Sequence, residues 1–145
     1  MKTASHGLGI IKHYEQCRLK AYLCPANIWT IGWGHTNGVK SGDTCTQAQA
    51  DKWLEEDLLE AERAVARHVR AGINQNQFDA LVSFVYNLGG PQFAGSTLLK
   101  LVNGGDFASA ADQFGRWVFA KGVKLDGLVA RRSDERHLFL LPILH

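Results

Sequence analysis

No run of apolar residues in this 145-residue chain is long enough to cross a bilayer, which takes about 20 in a helix. The opening Met1-Lys-Thr-Ala-Ser-His-Gly-Leu-Gly-Ile-Ile-Lys12 lacks the apolar core of a signal peptide, so passage out of a cytoplasm is expected to need help. The tail Leu138-Phe-Leu-Leu-Pro142-Ile-Leu-His145 is too short for an anchor and reads as the end of a core helix stopped by Pro142. Cysteine is scarce. Cys17, Cys24 and Cys45 make neither an even disulfide framework nor a zinc spacing, so reduced thiols and no metal are expected. Charge of one sign is scarce too: 16 Lys and Arg against 14 Asp and Glu leave +2, too little to argue for nucleic acid. There is no repeat, low-complexity run or interdomain linker. What remains, 46% hydrophobic and 21% charged, is the balance of one soluble domain with a full core.

Along the chain, Ser5 is placed to cap a first helix with Leu8, Ile11 and Tyr14 or Glu15 on one face. Glu15 then ends that helix, where the dipole disfavours negative charge; the setting suits a proton donor, although position alone favours a solvated surface carboxylate. From Leu19 to about Val39, β-branched and aromatic residues alternate with Pro25, Asn27, Gly32, Gly34 and Gly38. This predicts a small antiparallel sheet with Lys20 to Cys24 and Ile28 to Trp33 as its hairpin. Gly32 and Gly34 around Trp33 predict close backbone approaches beside a cleft. Thr46 with Gln49 forms a capping box for a long helix running toward His68. Asn74 caps a helix from Gln77 to Leu88, stopped by Gly89-Gly90-Pro91. Short helices follow at Leu98 to Val102 and Phe107 to about Val118, then a last one from Leu128 to Leu141.

The chemistry gathers in Glu15 to Thr36. Cleaving a glycosidic bond needs an acid for the leaving oxygen and a group that holds water on the opposite face of the sugar. Glu15 can be the acid. The Thr30 hydroxyl both donates and accepts, and Cys24 can ionise, so the two can hold a water between them. A second chemistry is open: Cys24 as nucleophile with His35, eleven residues on, as base. No cysteine-peptidase signature surrounds Cys24, and a buried thiol beside a hydrogen-bonded histidine accounts for the pair better than a dyad does.

The order Glu15, Cys24, Thr30, then Ile31-Gly-Trp-Gly-His35-Thr36, resembles the phage-type lysozymes of glycoside hydrolase family 24. The resemblance continues through Phe78-Asp-Ala-Leu-Val-Ser-Phe84, Tyr86-Asn-Leu-Gly89 and Gly95-Ser-Thr-Leu-Leu-Lys100, and ends in Gly127-Leu-Val-Ala-Arg131-Arg132 and Glu135. It covers nearly the whole chain. It implies an α+β, mainly helical lysozyme-like fold in a single domain, 1–145. A small β-containing lobe (about 16–60) and a helical lobe (about 70–145 plus the first helix) would flank a cleft.

It further implies a muramidase acting with inversion on the bond between N-acetylmuramic acid and N-acetylglucosamine of peptidoglycan. Glu15 would be the acid, Cys24 the water-directing group and Thr30 its helper. His35 would support the site, and Thr36, Tyr86, Thr97 and Gln113 would contact substrate. The family usually has aspartate where this chain has Cys24. The departure raises a glycan-binding homologue that does not cut as the alternative, and transglycosylation as another outcome at the same bond. No cofactor is implied. An endolysin of this kind is expected to be a monomer, held in the host cytoplasm until a holin opens the membrane, with no stable membrane insertion of its own.

Overall fold

The computed structural model of the chain describes residues 1–143, so the last two residues of the apolar tail lie outside the described residues. Helix α1 (Ser5–Glu15) leads into a hairpin of β1 (Arg18–Leu23) and β2 (Trp29–Gly32), followed by a loop and the long α2 (Gln47–His68). Next come α3 (Gln75–Leu88), the short α4 (Gly90–Ala94), α5 (Thr97–Asn103) and α6 (Phe107–Gln113). A 3-10 turn (Phe114–Arg116), a second hairpin of β3 (Phe119–Ala120) and β4 (Val123–Lys124), and α7 (Asp126–Leu140) complete the fold. This is the mainly helical α+β architecture expected from the resemblance, with small antiparallel sheets.

Helix α3 is the centre. Every residue from Phe78 to Val85 is buried, and α1, α2 and α7 pack around it. A helix enclosed on all sides must carry apolar residues around its whole circumference, as this one nearly does. Phe84 sits edge-on to Phe93, Phe114 and Trp117, tying α3 to α4 and to the turn after α6.

Local chemistry sets several helix starts as expected. Asn74 and Gln77 form a reciprocal capping box on α3, which opens at Gln75. Ser96 caps α5 and Asp106 caps α6 through their side chains. At α2 the Thr46 hydroxyl accepts from Gln49 N–H, one half of the expected box.

Other starts and stops differ from the sequence reading. Ser5 does not cap α1; Ala4 occupies the cap, and the carboxylate of the fully buried Asp79 accepts from the N–H groups of Ala4 and Gly7. The donors that a local serine would satisfy are met from across the core. The helix expected to run to about Val118 ends at Gln113, and the 3-10 turn and β3–β4 hairpin follow, with Lys121 and Gly122 both at positive φ in the turn. After the Gly89 stop, Pro91 opens a further short helix, α4, where a proline lacking an N–H costs nothing. Helix α7 begins at Asp126 and ends at Leu140, before Pro142.

Candidate active site

Glu15 is the last residue of α1, and Gln16 then turns the chain with φ +52 into β1. One carboxylate oxygen, Oε2, accepts from Arg131 Nη1 at 2.7 Å. The other, Oε1, abuts Gly34 on the loop after β2. Gly34 has φ +81, and a Cβ there would lie 2.7 Å from the Glu15 Cδ, so only glycine fits. The close approach expected from the glycines around Trp33 is thus real at Gly34, and also at Gly32, where a Cβ would meet the Ala50 Cβ at 3.2 Å.

The β1–β2 turn is built around one carbonyl. Ile28 O accepts the Cys24 N–H at 3.0 Å and the Thr30 hydroxyl at 2.9 Å. Cys24 O in turn accepts from Asn27 N–H at 2.8 Å, and Asn27 takes φ +60, a conformation asparagine tolerates better than most residues. Cys24 is half-buried and Thr30 buried. Tyr22 pairs with Thr30 across the hairpin, and Arg18 lies over its ring at 4.4 Å. Burial first, then the negative charges of Glu15 and Cys24, push the Tyr22 phenol up, with Arg18 opposing.

His35 is buried and engaged. Its Nδ1 meets Asp57 Oδ2 at 2.7 Å, its ring stacks on Trp53 at 4.5 Å, and its backbone forms a bridge with Ile31. Among the described residues no hydrogen bond joins it to Cys24, which removes the geometric basis for a Cys–His dyad. The three cysteines are free.

A cavity of about 950 Å³ opens between the loop after β2, α2 and the end of α3. Gly34, Thr36 and Tyr86 line it, together with charged side chains of α2 such as Glu60 and Arg63. Tyr86 donates to Trp33 O at 2.6 Å, tying α3 to the loop that carries Gly34. Its phenol is held well above the ordinary tyrosine value by burial, then by the charges of Glu15 and Asp57. Thr36 and Tyr86 are thus brought to one cavity through Gly34, against which Glu15 rests. Thr97, exposed at the first position of α5, and Gln113, half-buried at the end of α6, do not line it.

Sequence reasoning passed over Arg131 as a partner of Glu15, and Asp57, Tyr22 and Asp79 as supports. Arg131 stood in a quoted motif, but nothing local links it to a residue 116 positions away.

The phage lysozyme family model matches residues 12–135. The endolysin of Salmonella phage P22 is 44% identical over 97% of this chain and 99% of its own length. The muramidase domain of SpmX from Asticaccaulis excentricus superposes with a TM-score of 0.86 at 39% identity, covering 97% of this chain and 99% of that one. The active form of the P1 phage endolysin Lyz gives a TM-score of 0.83 at 32% identity, covering 97% of this chain and 85% of that one. Its secreted inactive form gives 0.69, covering 96% of each chain. The mainly helical fold with its small sheet, together with the relatives it matches, makes this a glycoside hydrolase. This chain belongs to the phage lysozyme family.

Proposed function

We propose that the chain is an endolysin that hydrolyses the β-1,4 bond between N-acetylmuramic acid and N-acetylglucosamine in peptidoglycan, with inversion, to lyse a bacterial host. The observation that carries the proposal is the Ile28 carbonyl, which accepts both the Cys24 backbone N–H and the Thr30 hydroxyl and so fixes the two residues in one turn. Because the Thr30 proton is taken by Ile28 O, the hydroxyl can act toward water only as an acceptor, offering a lone pair to a water proton. A Cys24 thiolate accepts the second water proton as the water oxygen bonds to the anomeric carbon. On the other side Glu15 gives its proton from Oε1, the oxygen that Arg131 leaves free, to the departing glycosidic oxygen. Thr36, Tyr86, Thr97 and Gln113 are assigned to the glycan, and His35 to holding the loop through Asp57 and Trp53. The backbone resembles the active P1 form more closely than the secreted inactive one, in keeping with a working site.

The proposed division is a β-containing lobe over about 16–60 and a helical lobe over about 70–145 with α1, acting as a monomer. Release is assigned to a holin on the family resemblance alone. The P1 relative, by contrast, has a secreted form.

The decisive experiment follows clearing of a peptidoglycan suspension by the purified chain. Glu15→Gln should abolish clearing, and Cys24→Ser should cut it steeply with the melting temperature unchanged. Clearing that survives Glu15→Gln removes the acid, and full turnover in Cys24→Ser rejects the thiolate. A wild-type chain that binds the wall without clearing it establishes the non-cutting homologue. Anhydro ends on the released muropeptides, read by mass spectrometry, would assign transglycosylation instead.

A further inference from the structure

An array of buried charges ends on Glu15. Ser83 of α3 and Glu135 of α7 are fully enclosed, and Arg131 and Arg132 are 3% and 1% exposed. Ser83 Oγ donates to Glu135 Oε2 at 2.5 Å. The same oxygen accepts from Arg131 Nε at 3.3 Å and from Arg132 Nη2 at 3.1 Å. Arg132 Nε lies 2.7 Å from Glu135 Oε1, off the hydrogen-bond axis, so that contact is ionic only. Arg131 Nη2 donates to Ser83 O at 3.2 Å, and Nη1 is left to donate to Glu15 Oε2 at 2.7 Å. Tyr14, beside Glu15, donates its phenol hydrogen to Asp134 on the same helix α7.

The signs alternate from Arg132 through Glu135 and Arg131 to Glu15, and they cancel once Glu15 has given up its proton. Burial pulls both guanidiniums down. At Arg131 the carboxylates of Glu15 and Glu135 more than offset it; at Arg132 burial prevails. Burying such a set is costly, and well-packed apolar side chains commonly stabilise a core as well or better, so stability does not account for it. A guanidinium is planar and rigid. With Nε held by Glu135 and Nη2 held by Ser83, the direction of Nη1 is determined.

We propose that Ser83 and Glu135 are positioning residues of the reaction. They lock the Arg131 fork, and the fork sets the Glu15 carboxyl so that Oε1 points at the substrate oxygen. This rests on the reading of Glu15 as the acid. It gives the two buried α7 arginines different tasks, Arg131 orienting Glu15 and Arg132 balancing the charge of Glu135.

The test uses the purified full chain on a peptidoglycan suspension. Glu135→Gln is expected to lower kcat roughly 10- to 100-fold, the scale of a misplacement approaching 1 Å. Ser83→Ala should lower it about fivefold, one hydrogen bond's worth. KM should be unchanged in both. Because Ser83 acts through Arg131, adding Ser83→Ala to Arg131→Lys should cost nothing further. A merely structural role would give additive losses instead. Wild-type kcat in folded Ser83→Ala and Glu135→Gln, or additivity in the double variant, overturns the proposal. If Glu135→Gln does not fold, Ser83→Ala and the double variant decide alone. Turnover retained in Glu15→Gln defeats the acid assignment, a different failure from wild-type kcat in the positioning variants beside an inactive Glu15→Gln.

Discussion

Gly34→Ala is the sharpest probe of how the acid is held. The new Cβ would stand 2.7 Å from the Glu15 Cδ and 3.3 Å from its Cγ. Ordinary contact begins at 3.4 Å, so the carboxyl must retreat by about 0.7 Å, the difference between 3.4 and 2.7 Å. Glu15 cannot retreat and keep its 2.7 Å bond to Arg131, because Arg131 is buried and anchored on its far side. A displacement approaching 1 Å at a reacting group costs roughly 100-fold in rate. Alanine at φ +81 adds strain of about 1–2 kcal/mol. That strain should lower the melting temperature by about 2–4 °C per kcal/mol in a chain of this size. Gly42→Ala separates the two effects. Gly42 has φ +87, and a methyl added there would meet nothing within 4 Å, so it carries the strain without the collision. Turbidity clearing measured well below both melting temperatures should show Gly34→Ala slowed about 100-fold and Gly42→Ala near wild type, with similar losses of thermal stability. Equal activity in the two variants would refute the reasoning.

Two further predictions concern the frame. Asp79→Ala leaves the N–H groups of Ala4 and Gly7 and the Gln75 amide without their acceptor, and should cost about 2–4 kcal/mol, read by urea unfolding; a loss below about 1 kcal/mol would show that α1 does not depend on this cap. The chain has three tyrosines, and all are raised. Tyr14 is pushed up to about 12 by burial and then by Asp134, while burial leads at Tyr22 and Tyr86. Phenolate absorbance of the folded protein should therefore show no step at pH 10, and one phenol titrating there would refute it. The sign for stability follows. A raised folded value favours the protonated form, so this contribution is whole below pH 10 and is lost as pH rises through the folded values; the melting temperature should fall across pH 10 to 12, less steeply in Tyr14→Phe.

The cap of α3 was legible because Asn74 and Gln77 lie within one turn of each other, and a capping box is a local contest between side chain and backbone. The first hairpin was legible for the same reason, from its β-branched and aromatic residues and the turn at Asn27. The α1 cap was not. Ser5 is a good local candidate, and a carboxylate 72 residues beyond Gly7 displaced it because burial makes that acceptor stronger and α3 delivers it to the place. The β3–β4 hairpin escaped notice because strands of two residues are too short for alternation to register.

The sequence by itself determined which chemistry the chain could carry: a carboxyl at a helix end, a thiol and a hydroxyl in the next hairpin, glycines where backbone must pass close to side chains. Those properties follow from residue type and from neighbours a few positions away. Only the tertiary structure decided which carboxylate oxygen is free, because that depends on Arg131 reaching Oε2 from α7 and on Gly34, with no Cβ, leaving room beside Oε1. It likewise decided that Tyr86 binds Trp33 O from across the core. Orientation of a polar group is a property of its partners. Most of those partners lie dozens of positions away in sequence and meet only when α1, α3 and α7 pack together.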